Sequence, residues 1–559
     1  MRKHTNKTQK IIRSLQLIIV LITLLGVKTN GQIIVSQSAM NFGKVQIKSV
    51  SARNVQIKNM SMLPVSVSLN FGKGSGFSVS QEEFFLGIYD SVQVLVTFSP
   101  AQNISYRNTL FITTAETGLS VPVTLRGEGG ALSQYDAATF DKWDNALKTA
   151  LNGLVINHTS LGYNTGRDRM YENIDKQPGD TIECVYTGIK IQAATRTIAQ
   201  NQGFDTEHTW PQGTFSQAEP MRSDIFHLYP TNSSANNTRG NYPFGKVVSG
   251  INWQVGGSKR GLDYRNVIVF EPRDVHKGDA ARAMFYFITR YQNYQNYMDT
   301  VQENVLKEWS KFDTVSATEA ARNTKIASYQ GKRNPLIDHP EFIDRIASFV
   351  NTSLTTPQKP AALLSADSLH LRYEWVGEQG DSSTLWLYLA NVSRGSLTYQ
   401  TSSLNSEVFR VYTNDNTVGF GEVDSLLIVF APAVQGYYQT ELLISTNDGI
   451  FRVPVRGTAV SGSAAEPGLN AGKDFKIIGS YPNPFNGSAA LRYHIYTAGE
   501  VTAKLYTLNG EKVKDLFAGE MTAGEHTLRI EMSGMPSGIY FVRLQSGQKS
   551  ESLPIHYMK

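Results

Sequence analysis

The sequence predicts a multidomain chain in which a central α+β region stands between two β-sandwich modules and a third β-sandwich closes the chain. Three observations carry this. At 559 residues the chain is too long for one core. Short runs of alternating apolar and polar residues fill its early and late parts, and two of these runs recur. Between them the pattern changes to helical spacing mixed with Asn-rich and His-containing loops.

Taken in order, the basic residues Arg2, Lys3, Lys7, Lys10 and Arg13 precede the apolar run LQLIIVLITLLG (15–26), the form of a secretory signal, assigned to residues 1–31. The run is shorter than the roughly 20 residues a spanning helix needs, and no stable membrane span is expected. Residues 32–130 alternate in runs such as VQVLVTF and SVPVTLRG, the spacing of a sandwich. VTFSPA (96–101) is echoed by IVFAPA (428–433), and SVPVTLRG (120–127) by RVPVRG (452–457), which places a second copy at 361–460. Within residues 131–352, AARAMFYFITRYQNY (280–294) reads as a buried helix and NVLKEWSKF (304–312) as an amphipathic one. A Gly/Ser/Ala-rich linker (461–474) leads to a β-like portion, 475–559, with YPNPFN, KLYTLNGEKV and PSGIYFVRL.

A content of 41% hydrophobic and 18% charged residues excludes wholesale disorder, and a net charge of +5 over this length identifies no ligand. Cys184 is the single cysteine, which excludes an intrachain disulfide and a multi-thiolate zinc site. Any metal must therefore be held by oxygen or imidazole.

The segment DTEHTWPQGTFSQAEPMRSDIFHLYPTNSSANNTRGNYPFG (205–245) concentrates the chemistry. Glu207 and His208 end an extended run before Pro211, and a bend is expected if both are to serve one site, because a strand points adjacent side chains to opposite faces. DIFHLYP (224–230) is β-like, and Thr231 is a plausible N-cap for a helix through SSANNTR. Strand, loop, strand and helix then bring His208 opposite Asn236, the ββα-metal arrangement. Imidazole suits deprotonation of water near neutral pH. One carboxylate, Glu207, and one amide oxygen, Asn236, suffice for a hard cation such as Mg²⁺ that keeps several waters.

On these residues the segment resembles the endonuclease I family, whose pattern runs E-H-x-W/V-P, then D-L-H-H/N-L-x-P, then N-x-x-R-S/G-N. The resemblance implies a Mg²⁺-dependent endonuclease, with Mn²⁺ or Ca²⁺ as other candidate cations. In that reading His208 activates the water and Glu207 and Asn236 hold the metal. Asp224 and His227 match the central motif as supporting residues, and Arg239 and Asn241 match the last one. Phe226 replaces the first His of the commoner central motif. Further matching pieces include FEPRDVHKGDAARAMFYFITRY (270–291), in which Lys277 and Arg282 are candidates for phosphate contact. The flanking copies resemble immunoglobulin-like modules of the hydin and abnormal-spindle type. The closing trio of motifs resembles the C-terminal sorting domain of type IX secretion, which implies that machinery as a partner and a secreted or cell-surface location.

The bland readings run beside these. His227 is read as structural rather than reacting, as are His276 and His339, and His158 receives no function. Cys184 reads as a small buried hydrophobe, and the tyrosines of YQNYQNY as helix packing rather than base stacking. The expected substrate is DNA, with RNA a second candidate, cut internally with little sequence preference because phosphate contacts carry no base information. The competing reading is a surface adhesion or scaffold protein whose central domain binds nucleic acid or polysaccharide without cutting it. A zinc-dependent His-Asn-His nuclease is disfavoured, since the segment supplies too few nitrogen or sulfur ligands.

Overall fold

The computed structural model describes residues 33–61, 64–115, 118–373, 382–402, 404, 407–413, 416–459, 475–481, 485, 487–507, 512–536, 538–546 and 549–557. The signal (1–31) and the linker (461–474) lie outside the described residues. The rest divides into two compact units, one ending at Thr458 and one beginning at Ala459.

The first unit opens with nine strands: β1 (Ile33–Val35), β2 (Ala39–Gln46), β3 (Ser51–Asn59), β4 (Val65–Phe71), β5 (Phe77–Val79), β6 (Glu83–Leu86), β7 (Ser91–Phe98), β8 (Ser105–Thr114) and β9 (Ser120–Gly130). They form two sheets in the orders β1-β3-β7-β5 and β2-β9-β8-β4-β6. The alternation is obeyed: in β4, Val65, Val67, Leu69 and Phe71 are buried while Ser66 and Asn70 are exposed. Nine further strands between Ala362 and Ala459 pair in the same order, strand for strand.

The recurring motifs have a packing cause. Phe98, from VTFSPA, stacks on Phe77 at 4.8 Å, and Phe430, from IVFAPA, stacks on Phe409 at 4.9 Å. Tyr106 and Tyr438 meet these rings edge-on. A Cβ added to Gly127 or Gly457, the glycines ending the partner motifs, would lie 2.5 Å from the Phe98 or Phe430 ring. The phenylalanine of one motif thus occupies the space the glycine of the other leaves. Gly127→Ala and Gly457→Ala are each expected to destabilise their module by about 1–3 kcal/mol through overpacking, read as a lower urea midpoint.

The central region is built around the helix Lys277–Tyr291, whose residues from Ala280 to Thr289 are all buried, as its apolar composition predicts. It stops at Tyr291 because Gln292 turns to a φ of 73°. The YQNYQNY run is therefore not one helix; Tyr294–Asn296 form a separate 3₁₀ turn. The amphipathic helix Thr300–Phe312 is capped by Asp299 and packs on the buried one. Beside them lie a ribbon of β10 (Thr181–Glu183) and β11 (Lys190–Gln192) and the hairpin of β12 (Phe204–His208) and β13 (Leu228–Asn232).

The second unit is a β-sandwich of a three-stranded sheet (Phe475–Tyr481, Ser488–Ile495, Gly524–Glu531) and a four-stranded sheet (Gly499–Thr507, Lys512–Met521, Gly538–Ser546, Lys549–Tyr557). Leu491, Tyr493, Val501, Leu505, Val542 and Leu544 form its core. No helix among the described residues is long and apolar enough to cross a membrane.

Candidate active site

The hairpin and the helix that follows it form as the sequence order requires, with two shifts. Asp224–His227 is not strand: Asp224 caps a 3₁₀ turn, Ile225–His227, and β13 starts at Leu228. The helix Ser233–Arg239 is capped by Asn232 rather than Thr231, its side chain accepting from the backbone N–H of Ser234 (3.0 Å) and Ala235 (3.4 Å). Thr231 stays in the ladder opposite Asp205. Cys184, fully buried, accepts from the N–H of Asn232 at 3.1 Å, a packing role as expected.

No bend separates Glu207 from His208. Strand β12 runs through both, paired with Tyr229 and Leu228, so the two side chains leave opposite faces. On one face Glu207 Oε1 accepts from the Tyr186 hydroxyl at 2.8 Å and lies 3.3 Å from Arg239 Nε, a charge contact rather than a directed hydrogen bond. On the other, His208 Nε2 meets the Arg222 carbonyl at 3.1 Å, between the rings of Tyr163 (5.6 Å) and His227 (5.5 Å).

Asn236 docks on the free edge of the same strand. Pro230 has no N–H, so Thr206 and Pro230 are a non-hydrogen-bonded pair and the Thr206 carbonyl points out of the hairpin. The Asn236 side-chain N–H₂ donates to that carbonyl at 3.5 Å. The edge that separates the two faces of β12 is thus where the amide sits.

A carbonyl only accepts, so the Arg222 contact makes Nε2 the protonated nitrogen of His208. Nδ1, with no partner among the described residues, is then the free acceptor. Burial, and next the neighbouring His227, lower the His208 pKa well below its ordinary value, which keeps the ring neutral. Glu207 is pushed up to about 7 by burial, against the pull of Arg239 and Tyr186.

The supporting residues divide sharply. Asp224 is wholly buried, taking hydrogen bonds from Tyr286 (3.0 Å), Tyr291 (2.8 Å), Gln330 (3.2 Å) and the N–H of Phe226 (3.2 Å). His227 lies behind His208 with Nε2 on the Met221 carbonyl at 2.7 Å. Asn241 is exposed.

Lys277 and Arg282, the candidates for phosphate contact, and Arg239 of the last motif are all paired within the fold. Arg239 is 0% exposed, and its donors go to the carbonyls of Thr209 and Gly240 (both 2.8 Å) and to Tyr297 (3.2 Å). Arg282 is 0% exposed in a fork on Glu319, both bonds 2.7 Å. Lys277 is paired with Glu271 (2.8 Å) and Asp274 (2.7 Å). Helical position does not reveal whether a cation finds its anion inside the fold, and all three do.

Sequence reading passed over Tyr186, Arg222 and Tyr163. Arg222 stands two residues before Asp224 and was the easiest to find; the tyrosines come from distant segments. Two tyrosines of the YQNYQNY run hold site residues: Tyr291 bonds Asp224 and Tyr297 bonds Arg239. His339 is structural as expected, between Glu341 (2.7 Å) and the N–H of Leu132 (3.2 Å).

Comparison with known proteins places residues 144–341 on the family model "Endonuclease I". Residues 33–119 match that of the ASPM-SPD-2-Hydin module, and residues 480–555 that of a secretion system C-terminal sorting domain. The chain is 33% identical over 227 residues to an extracellular ribonuclease of Bacillus amyloliquefaciens, covering 37% of this chain and 75% of the relative. An extracellular ribonuclease of Bacillus subtilis (strain 168) is 31% identical over 223 residues, with the same coverages. An extracellular deoxyribonuclease of Aeromonas hydrophila is 27% identical over 126 residues, covering 22% of this chain and 54% of the relative.

Proposed function

This chain belongs to the endonuclease I family, and from that premise we propose that it hydrolyses internal phosphodiester bonds of DNA, and of RNA as well, with a divalent cation and little sequence preference. It is a secreted or cell-surface nuclease. The observation that carries the reading is the orientation of His208: Nε2 is tied to a backbone carbonyl and Nδ1 is left free among the described residues, on the strand that also carries Glu207 and takes the Asn236 amide at its edge.

His208 Nδ1 takes a proton from the attacking water, and the Arg222 carbonyl holds the imidazolium as it forms. Because the nucleophile is water and not a ribose hydroxyl, the sugar is not needed for the reaction. The names of the relatives, ribonucleases and a deoxyribonuclease, agree with a site that accepts both polymers.

The residues present fit a hard cation. Among the described residues Glu207 Oε2 and Asn236 Oδ1 make no hydrogen bond, and a carboxylate whose pKa burial has raised gains from a cation beside it. Among the described residues there is no cluster of three or more His, Cys, Asp or Glu suited to a metal. When bound, Mg²⁺ would neutralise charge on the phosphate oxygens. Arg239 and Tyr186 fix Glu207 from behind.

The test is plasmid nicking by the full chain. Cleavage in Mg²⁺ is expected to stop with EDTA and return when Mg²⁺ is restored in excess. Binding that persists with no cleavage in Mg²⁺, Mn²⁺ or Ca²⁺ would favour the scaffold reading instead.

A further inference from the structure

A group of cations beside His208 has no role in the scheme above. The Tyr163 ring lies 5.6 Å from the His208 ring, and two guanidinium groups sit over it, Arg167 at 3.9 Å and Arg222 at 4.1 Å. Neither arginine has an ion pair among the described residues. Among the described residues Arg167 gives one side-chain hydrogen bond, to Asn164 Oδ1 at 2.7 Å, and the Arg222 guanidinium gives none. In both, Nε is closed off from solvent without a partner. The third cation nearby, Arg196, is neutralised by Asp168 at 2.7 Å.

This pattern differs from the other arginines of the region. Arg239, Arg282 and Arg322 are buried with their forks filled by carboxylates or carbonyls. Arg167 and Arg222 are half-buried with their forks open. Burial lowers the Arg167 pKa, as do Arg196 and Arg222, while Tyr163 and Asp205 oppose the shift. Partial burial of two like charges without an anion is unfavourable, and an anion from outside relieves it. The planar fork of arginine matches phosphate, and an aromatic ring beneath it holds the fork in place.

We propose that Tyr163, Arg167 and Arg222 form a subsite for a phosphodiester group of the bound strand, next to the one that is cut. The inference rests on the nuclease reading. It places the group at a neighbouring phosphate because both guanidinium groups stand over the Tyr163 ring, which itself lies 5.6 Å from the His208 ring, whereas the water and the cut bond belong to His208 Nδ1. Arg222 then has two functions: its carbonyl orients the base, and its side chain holds the strand beside it.

The test uses the full chain and a short fluorescein-labelled single-stranded deoxyoligonucleotide, its anisotropy followed over a range of NaCl in a His208→Ala background. Arg167→Gln and Arg222→Gln are each expected to weaken binding about tenfold or more. Each is also expected to make the slope of log K against log salt shallower by about 0.7, one phosphate contact on a single strand. Arg222→Lys keeps the charge and should keep the slope while losing affinity. In chains that retain His208, the glutamine variants should raise KM and leave kcat nearly unchanged, because a contact made equally before and during bond cleavage affects only binding.

Unchanged salt slopes in both glutamine variants would overturn the subsite, since a merely structural arginine leaves the count of phosphate contacts alone. So would a fall in kcat equal to that in kcat/KM, which would put the arginines on the cut phosphate. Plasmid nicking by the unsubstituted chain separates the two failures. Cleavage with unchanged slopes sinks the subsite alone, and no cleavage in any of the cations sinks the nuclease reading with it.

Discussion

His208→Ala is expected to lower kcat by about 10²–10⁴-fold, the range that a positioned acid–base group contributes, while binding of nucleic acid persists. The Nε2 contact to the Arg222 carbonyl leaves Nδ1 as the acceptor, and burial keeps the ring neutral. No second histidine takes over. His227 is the nearest, but it lies behind His208, is wholly buried, and points Nε2 at the Met221 carbonyl. His227→Ala should therefore cost stability before chemistry. Single-turnover cleavage at saturating protein, set beside binding of the same oligonucleotide, separates the two effects.

The second large effect is on stability. Arg282→Met is expected to destabilise the central region by about 3–5 kcal/mol, the cost of removing one partner from a buried ion pair. Arg282 forms a bidentate fork on Glu319, donates to the Asp313 carbonyl at 2.9 Å, and lies 3.4 Å from Asp279. Methionine keeps much of the volume and leaves the buried Glu319 carboxylate facing the half-buried Asp279 without a cation between them. A lower denaturation midpoint with an unchanged salt slope for oligonucleotide binding is the expected pair of results. A changed slope at full stability would restore Arg282 to the substrate surface.

What the sequence discloses here depends on how far apart the cooperating residues stand. The hairpin and its helix are contained in 205–245, so Pro211, the β-like run before Pro230 and the polar cap before SSANNTR mark its parts in order. Which of Thr231 and Asn232 caps the helix is not visible, because both side chains can do so; the pairing of Thr231 with Asp205 decides it. The flanking modules are legible because a single packing relation, a phenylalanine filling the space over a glycine, leaves matching words in both copies.

The pairing of the cations is not legible in the sequence, for a physical reason. Charge type is written in the sequence, but the fate of the charge is not. Arg239, Arg282 and Lys277 stand in the matching pieces and are consumed inside the fold, while Arg167 and Arg222 remain open. Tyr163 and Tyr186 reach the site from elements that only tertiary packing brings near β12. The bend expected between Glu207 and His208 does not form: β12 runs through both, their side chains leave opposite faces, and Asn236 docks on the strand edge at the Thr206 carbonyl.

Hydrolysis in this account depends on one lone pair, that of the imidazole nitrogen turned away from the Met221–Ser223 turn. Nitrogen-15 NMR of the full chain with labelled histidine, its signal assigned by loss in His208→Ala, reports which ring nitrogen carries hydrogen in neutral solution. A neutral ring protonated at Nε2 is the predicted result. A ring protonated at Nδ1, or at both nitrogens, would leave no acceptor for the water and would contradict the account.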